Sequence, residues 1–293
     1  MICLSTGAVV DAAIGPFQGK GHSEHGLLRE IQGALCAGDV LLADALYCSY
    51  WLITSLQAEG IDVLFEQHGS RITDFRRGRR LGVRDHVVSW KKPARPSWMT
   101  HEQYAASPDE LTVRELKTDG RVLVTTMPDP RKTRKKDLSD LYMRRWHVEL
   151  DFRNIKTTLG MDVLRCITPQ MVEKELWVNL LAYNLIRLLM AQAAVESGLR
   201  PRQLSFKHTV QIWTRWTLLN TGRNQDWQSD IHQPAAGLLC CQDHQDVAQA
   251  RRLVLDRHAE PGRFSRCQPQ DAQHDGVVVV PGDAQRGSAL GQP

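Results

Sequence analysis

Two short apolar runs with a helical pattern between them constrain the fold of this chain more than any other feature. The runs are DVLLAD at residues 39–44 and DVLFEQHG at residues 62–69. Between them, SYWLITSLQAEG at residues 49–60 has the apolar spacing of a helix and ends in a glycine. Strand, helix and strand in this order form the repeating unit of layered α/β proteins. The sequence therefore predicts the α/β fold class.

The rest of the chain divides by pattern into four parts. Residues 1–69 read as a hairpin from ICLST to AVVDAAIG, a helix opened by Ser23, and the strand–helix–strand unit. Residues 70–136 lose this periodicity and predict a basic, β-rich insertion, and residues 137–216 are helical in pattern. Residues 217–293 are rich in Gln, Pro and Gly and predict a weakly ordered tail, either native or out of frame.

Positive charge is concentrated in the predicted insertion. Residues 71–100 hold nine Lys and Arg against two Asp, although the formal net charge of all 293 residues is only +4. Such a local field suits a polyanion, while a solvated loop is the alternative interpretation. The seven cysteines show no CxxC spacing, so no zinc site is predicted.

The stretch YMRRWHVELDFRNIK, residues 142–156, places four functional side chains on one face of a predicted helix. At 100° per residue, Tyr142, Arg145, Glu149 and Lys156 fall at roughly 0°, −60°, −20° and −40°. An adjacent apolar stripe predicts the face that is buried against a core. We expect Asp137 to cap the start of this helix and Gly160 to end it.

Two acids are candidates for metal-assisted chemistry. Asp44 follows an apolar strand, at the sheet end where α/β proteins place ligands, and Glu149 lies on a helix face that also carries cations. Carboxylates are the hard ligands that Mg²⁺ or Mn²⁺ prefers, and neighbouring cations suit a phosphate backbone, which together indicate phosphodiester chemistry. The competing interpretation is a surface ion pair, because Arg145 and Glu149 stand four residues apart.

The spacing Tyr142-x2-Arg145-x3-Glu149-x6-Lys156 resembles, at every position, the Y-R-E-K signature of DDE transposases of the bacterial insertion-sequence-four type. The resemblance extends over roughly residues 3–216 and includes GDVLLADALYCSYWLI around Asp44. It implies a ribonuclease-H-like core with a β-rich insertion between the second and third catalytic acids. In that core Asp44 would be the second acid and Glu149 the third, and both would be metal ligands.

The same resemblance implies partners and cofactors. Tyr142, Arg145 and Lys156 would bind DNA, and an intact family member would use two Mg²⁺ or Mn²⁺ ions. The DNA partners would be insertion-sequence ends and target DNA, with a homodimer on DNA as the form that the family allows. The chain would be bacterial, cytoplasmic and associated with the nucleoid. No charged and apolar leader opens the chain, and polar residues interrupt the apolar run from Leu176 to Val195, so we expect a buried helix and no membrane span.

One element of the family pattern has no counterpart in this sequence. The first catalytic acid should end the first strand of the sheet, and Asp11, in VVDAA within the predicted third strand, does not match that context. We therefore expect a chain truncated at its N-terminus, and three functions stay open. They are an inactive copy of a transposase, a non-catalytic DNA-binding fragment that inhibits a full-length relative, and a ribonuclease-H-like nuclease unrelated to transposition.

Overall fold

The computed structural model of the protein describes residues 1–15 and 23–220, and the backbone of a strand at 277–279. These residues belong to two compact units. The first contains residues 23–145 and the strand at 277–279, and the second contains residues 2–15 and 146–220. Apart from the end of the last helix and residues 277–279, the predicted tail lies outside the described residues.

The elements alternate in the first part of the chain and become helical after residue 134. The strands are β1 (Ile2–Cys3), β2 (Val40–Ala43), β3 (Asp62–Glu66), β4 (Arg79–Gly82), β5 (Asp85–Lys91), β6 (Glu110–Thr118), β7 (Arg121–Thr125) and β8 (Val277–Val279). The helices are α1 (Glu24–Ile31), α2 (Tyr50–Ala58), α3 (His101–Ala106), α4 (Lys135–Met143), α5 (His147–Arg153), α6 (Pro169–Ser197) and α7 (Phe206–Asn220).

The sheet of the first unit has the strand order β8-β2-β3-β7-β6-β5-β4. Strand β2 is parallel to β3, in a register that pairs Val40 with Asp62 and Ala43 with Phe65, and it is also parallel to β8. The parallel pair requires a crossover, and helix α2 supplies it, as the strand–helix–strand pattern predicts. The remaining pairs are antiparallel. The chain is thus a mixed α/β protein with a mostly antiparallel sheet.

The insertion extends the same sheet. Strand β7 pairs with β3, with Leu64 opposite Thr125, and β6, β5 and β4 follow outward from it. The region predicted to be β-rich therefore contributes four strands that continue from the parallel pair. Helix α2 packs on this sheet, and Ile53 and Leu56 of the helix and Phe65 of β3 are almost completely buried in the shared core.

Two helices begin directly after a serine that caps them. The side chain of Ser23 accepts a hydrogen bond from the Gly26 amide at the start of α1, and Ser49 accepts one from the Leu52 amide at the start of α2. Both serines satisfy amides that have no partner within the helix. Helices therefore begin where the sequence predicts at these two positions.

The segment predicted as one regular helix is subdivided. It runs as α4, a 3-10 turn at Arg144–Trp146, α5, and a π-helical turn at Asn154–Thr158. The expectation that Asp137 is its N-cap is wrong, because α4 begins at Lys135 and Asp137 lies in its first turn. Gly160 has a φ of 73°, which favours glycine, and it follows the last helical turn as predicted. The ideal 100° spacing therefore holds only approximately along this segment.

The second unit is organised around α6. Its core contains Tyr183, Ile186 and Met190 of α6 together with Ile155 and Phe206. The N-terminal residues form the predicted tight hairpin, in which Ile2 pairs with Val9. Asn184 fixes this hairpin to α6, since its side chain accepts from the Val9 amide and donates to the Val9 carbonyl, both at 2.8 Å.

Helix α6 differs from the buried helix that the sequence predicts. One of its faces is buried in the second unit, whereas the other carries exposed large apolar side chains. By length and composition alone it could cross a membrane, a criterion that core helices of soluble proteins also meet. The prediction of burial is thus correct for only one side of the helix.

Candidate active site and nucleic-acid interface

Asp44 lies at the carboxyl end of β2, as the sequence predicts. It follows Ala43, the last residue of the strand, and its Oδ1 accepts a hydrogen bond of 3.0 Å from the Leu46 amide. This contact caps the 3-10 turn Ala45–Tyr47. The Asp44 side chain is only partly buried. Asp44 thus both ends a strand and caps the turn that follows it.

Helix α1 brings two further titratable groups to the surroundings of Asp44. The ring of His25 packs edge-on against Tyr47, with centroids 5.4 Å apart, and the Tyr47 hydroxyl donates to Glu24 Oε2 at 3.1 Å. Burial lowers the pKa of His25, and the nearby Asp44 carboxylate opposes that shift. The sequence gives no signal for this neighbourhood beyond the N-cap Ser23, because α1 and β2 are brought together only by the fold.

Tyr142 lies in α4 and is almost completely buried. Its hydroxyl donates to Glu66 Oε2 at 3.2 Å, and burial raises its pKa, so the group remains a protonated donor. The guanidinium of Arg145 stands 5.6 Å from the centre of the Tyr142 ring, within the range of a cation–π contact. Within the first unit, the ring of Tyr142 therefore supports the guanidinium of Arg145.

Glu149 and Lys156 belong to the second unit and are both exposed. Glu149 lies in the first turn of α5, where a carboxylate is favoured by the helix dipole. Lys156 lies in the π-helical turn, with its Nζ 6.0 Å from the centre of the Phe152 ring. Both charged groups are therefore accessible to a phosphate or to a metal ion.

Asp151, two residues beyond Glu149, is a structural residue that the sequence analysis misses. It is completely buried between two guanidinium groups, bonded to Arg187 Nη2 and to Arg202 Nη2, the latter at 2.8 Å. Arg202 also donates to the carbonyl groups of Cys3 and Leu4. The cluster joins the helix that carries Glu149 to α6 and to the N-terminal hairpin. In the sequence, the only signal for this cluster is that Asp151 would lie on the helix face opposite Tyr142.

The basic stretch forms an arm at the edge of the sheet. Strand β4 is the outermost strand, and Arg79 and Arg80 on it are exposed, as are Arg76 and Arg77 in the preceding loop. Asp74 forms ion pairs with Arg76 and Arg77, and hydrogen bonds from Arg76 lower the pKa of its carboxyl, while Arg79 and Arg80 form no ion pair within the described residues. Positive charge therefore dominates the arm, in agreement with the sequence analysis.

A buried network anchors this arm to the sheet. The Nδ1 of His86 lies 2.7 Å from the Arg77 carbonyl oxygen and its Nε2 lies 3.0 Å from Glu115 Oε2. Trp90 donates to the other oxygen of Glu115 at 2.7 Å, and its ring lies 3.7 Å below the guanidinium of Arg71. These contacts hold the basic loop in place although its arginine side chains extend into solvent.

The acids offer suitable chemistry for a divalent ion but not a complete centre. Carboxylates are the ligands that Mg²⁺ prefers, which fits Asp44 and Glu149. Within residues 1–15 and 23–220, however, no three His, Cys, Asp or Glu side chains form a group that could hold a metal ion. Asp11, which the sequence analysis disfavours, lies outside any strand, with its Oδ1 bonded to the Ala12 amide. No catalytic step is therefore assigned to a metal here.

A mixed sheet, an acid at a strand end and a Y-R-E-K segment occur together in this chain, and comparison with known families shows the class to which it belongs. The family model described as a transposase DDE domain matches residues 1–185. The chain belongs to this family of DDE transposases, of the insertion-sequence-four type.

Named relatives agree with this membership. The chain is similar to the transposase InsG for insertion sequence element IS4 of Escherichia coli (strain K12), with 31% identity over 238 residues, 76% of this chain and 51% of the relative. It is also similar to the putative transposase InsL for insertion sequence element IS186A of the same organism, with 34% identity over 71 residues, 24% of this chain and 19% of the relative. The chain thus spans about half the length of the first relative.

Proposed function

We propose that this chain is the DNA-binding and acid-bearing part of a transposase that cleaves and transfers DNA strands at insertion-sequence ends. The observation that carries the proposal is the complete signature of Tyr142, Arg145, Glu149 and Lys156 within the family match over residues 1–185. The named relatives are transposases for insertion sequences, which supports the same substrate class.

The cations are proposed to bind the DNA backbone. Arg145 is held against the Tyr142 ring and Lys156 is exposed, so each can neutralise one phosphate. Tyr142 itself is buried, which makes its role the support of Arg145 and, in a complete site, a hydroxyl contact. The basic arm on β4 would add further contacts that do not depend on DNA sequence.

The acids are proposed to be metal ligands. Asp44 and Glu149 would serve as the second and third acids of a ribonuclease-H-like centre that binds Mg²⁺ or Mn²⁺, two ions in an intact family member. A divalent ion bound there would activate the attacking oxygen and stabilise the leaving one. The contribution of this chain is to hold the Asp44 carboxylate at the end of β2 and the Glu149 carboxylate in the first turn of α5.

The division of the chain follows from the same proposal. Residues 1–69 and 137–216 would contribute the catalytic core, and residues 70–136 the insertion between the acids. The chain would act in the bacterial cytoplasm at the nucleoid, as a homodimer on DNA.

A second function is favoured by one observation. The described residues hold no group of three metal-binding side chains, while Lys156 of the signature and the arginines of the basic arm are exposed. A chain with this combination could bind insertion-sequence ends without cutting them, and so inhibit a full-length relative.

DNA binding tests the proposal directly. We expect the chain to bind a duplex with little sequence preference, and its affinity to fall steeply between about 50 and about 200 mM salt. Arg145→Ala and Lys156→Ala should each reduce the salt slope by about one. Lys207→Ala, an exposed change on α7, is the matched control. Affinity that is independent of salt would refute the proposal.

Cleavage separates the two candidate functions. When the chain is extended upstream by a strand that ends in an acid, Mg²⁺-dependent nicking of a cognate end should appear, and Glu149→Gln should remove it without unfolding the protein. Inhibition of a full-length relative by the unextended chain, measured in the same nicking assay, would support the second function. Equal nicking before and after Glu149→Gln would refute the assignment of Glu149 as a metal ligand.

A further inference from the structure

The carboxylate of Glu66 occupies a position between two groups that also bind other anions. Its Oε2 accepts a hydrogen bond of 3.2 Å from the Tyr142 hydroxyl and lies 3.7 Å from Nη1 of Arg121. Tyrosine hydroxyls and guanidinium groups are among the donors that contact phosphate oxygens in complexes with DNA. The same two groups could therefore hold a DNA phosphate in place of the carboxylate.

The Tyr142 hydroxyl cannot donate to both acceptors at once, because it carries a single proton. Burial raises the pKa of Tyr142, the guanidinium of Arg145 opposes that shift, and the Glu66 carboxylate adds to it, so the hydroxyl keeps its proton at neutral pH. In this structure the proton is donated to Glu66. A phosphate can accept it only after the carboxylate has moved away.

The register of the sheet places Arg121 beside Glu66. Strands β3 and β7 are antiparallel, with Glu66 opposite Leu123. Arg121 lies two residues before Leu123, so its side chain projects from the same face of the sheet, and long side chains reach such diagonal neighbours. We therefore expect the guanidinium to stay beside position 66 when the charge of Glu66 is removed.

The contact lies close to the protein surface. The Tyr142 side chain is almost completely buried, whereas the side chains of Glu66 and Arg121 are 30% and 36% exposed. Glu66 is the last residue of β3, and its long side chain can adopt several rotamers without a change in the strand. An arriving phosphate could therefore contact the guanidinium from solvent and replace the carboxylate at the hydroxyl.

The same position lies at the edge of the sheet that carries Asp44. Strands β2 and β3 are parallel, and Ala43 pairs with Phe65, so Asp44 and Glu66 are the residues that directly follow this pair. A phosphate bound in place of the Glu66 carboxylate would lie beside the acid that we propose as a metal ligand. The negative charge of Glu66 opposes the approach of that phosphate.

We propose that Glu66 restrains DNA binding by occupying a phosphate subsite, formed by the Tyr142 hydroxyl and the Arg121 guanidinium, which it must leave before a DNA phosphate can bind there. The inference rests on the proposed function for the identification of the ligand as DNA. The subsite itself depends only on contacts within the first unit.

Fluorescence anisotropy of the full chain with a labelled duplex tests the subsite. Glu66→Gln removes the charge but keeps an oxygen that can accept from Tyr142, so the circular dichroism spectrum should be unchanged. The variant should bind the duplex on the order of tenfold more tightly than the unaltered chain. Its salt slope should be steeper by about one, because Arg121 then neutralises a phosphate. Glu102→Gln, an exposed change on α3 that alters the net charge equally, is the matched control and should have neither effect.

Two further measurements separate the subsite from a general effect of charge. The double change Glu66→Gln, Tyr142→Phe should lose most of the gain in affinity, because no hydroxyl remains to donate to the phosphate. Inorganic phosphate at millimolar concentration should raise the unfolding temperature of Glu66→Gln more than that of the unaltered chain or of Glu102→Gln. This second measurement requires no DNA.

The outcomes also separate this inference from the proposed function. Salt-dependent DNA binding that is the same with and without the Glu66 charge would leave the proposed function in place and refute the subsite. A gain in affinity that persists without the Tyr142 hydroxyl would refute it as well. Selective stabilisation of Glu66→Gln by phosphate, without DNA binding by any variant, would support the subsite and contradict the proposed function.

Discussion

The hydroxyl of Tyr142 donates a hydrogen bond to Oε2 of Glu66 across 3.2 Å, and this bond ties helix α4 to strand β3. Arg121 Nη1 lies 3.7 Å from the same oxygen. A carboxylate that accepts from a neutral hydroxyl and faces a guanidinium is well compensated at this partly buried position. The position of Arg145, which contacts the Tyr142 ring, therefore depends on a contact between the signature helix and the parallel pair of strands.

Tyr142→Phe should lower the free energy of unfolding by about 1 to 2 kcal/mol, because Glu66 loses a donor while the ring contacts remain. Urea denaturation measures this change. Tyr104→Phe is the matched control, since its hydroxyl makes no hydrogen bond within the described part of the chain, and it should change stability by less than about 0.5 kcal/mol. Equal effects of the two substitutions would show that the contact with Glu66 is not stabilising.

Asp151→Asn should destabilise the second unit by about 3 to 5 kcal/mol, because it leaves the buried guanidinium of Arg187 without its counter-charge. Thermal unfolding and urea titration measure the loss. Glu149→Gln, an exposed change on the same helix, should cost no more than about 0.5 kcal/mol. The cluster around Asp151 would not be a structural requirement if both substitutions left the unfolding midpoint unchanged.

The stability of the first unit should decrease as the pH falls through the range near and below about 6.5. Burial lowers the pKa of His25 in the folded chain, so the unfolded chain binds that proton more readily, and protonation favours unfolding. His25→Gln should reduce the decrease between about pH 7.5 and about pH 5.5, measured by urea denaturation.

Asp44→Asn should have the opposite effect to His25→Gln. The Asp44 carboxylate raises the pKa of His25, so its loss should lower that pKa further, as followed by NMR titration of the imidazole. An imidazole titration that is the same with and without the carboxylate would place Asp44 too far from α1 to influence it.

The double change Arg79→Ala, Arg80→Ala on the edge strand should reduce the salt slope of DNA binding by about two, if each guanidinium neutralises one phosphate. Fluorescence anisotropy of a labelled duplex measures the slope. Both side chains are exposed on β4, so folding should be unaffected. Lys207→Ala on α7 serves again as the control, and an unchanged slope would limit the arm to protecting the sheet edge against association.

Several local features could be predicted because short-range chemistry controls them. Ser23 and Ser49 cap helices through their own hydroxyl groups, and Gly160 accepts a positive φ that other residues resist. Asp137 is predicted to cap the signature helix but does not, because α4 begins at Lys135, with Arg134 as its N-cap residue, and Asp137 lies in the first turn. A capping residue in the sequence therefore indicates where a helix can begin but does not by itself fix its first residue.

The exposed face of α6 could not be predicted from hydropathy. The run from Leu176 to Val195 is mostly apolar, which is typical of a buried helix, yet Leu181 and Val178 are more than half exposed while Tyr183 is buried. Hydropathy gives the total apolar surface of a helix, and the packing of its neighbours decides which part of that surface they cover.

The sequence by itself determined the class of the fold, the position of Asp44 at the end of a strand and the membership in the transposase family, since strand and helix periods and the Y-R-E-K spacing are local patterns. Only the tertiary structure decided that Tyr142 is bonded to Glu66, that Asp151 lies buried between Arg187 and Arg202, and that β7 joins the insertion to β3. These contacts join residues between 36 and 76 positions apart in the chain. These residues meet only when the chain folds, through complementary charge and shape, so no short-range pattern in the sequence predicts their contacts.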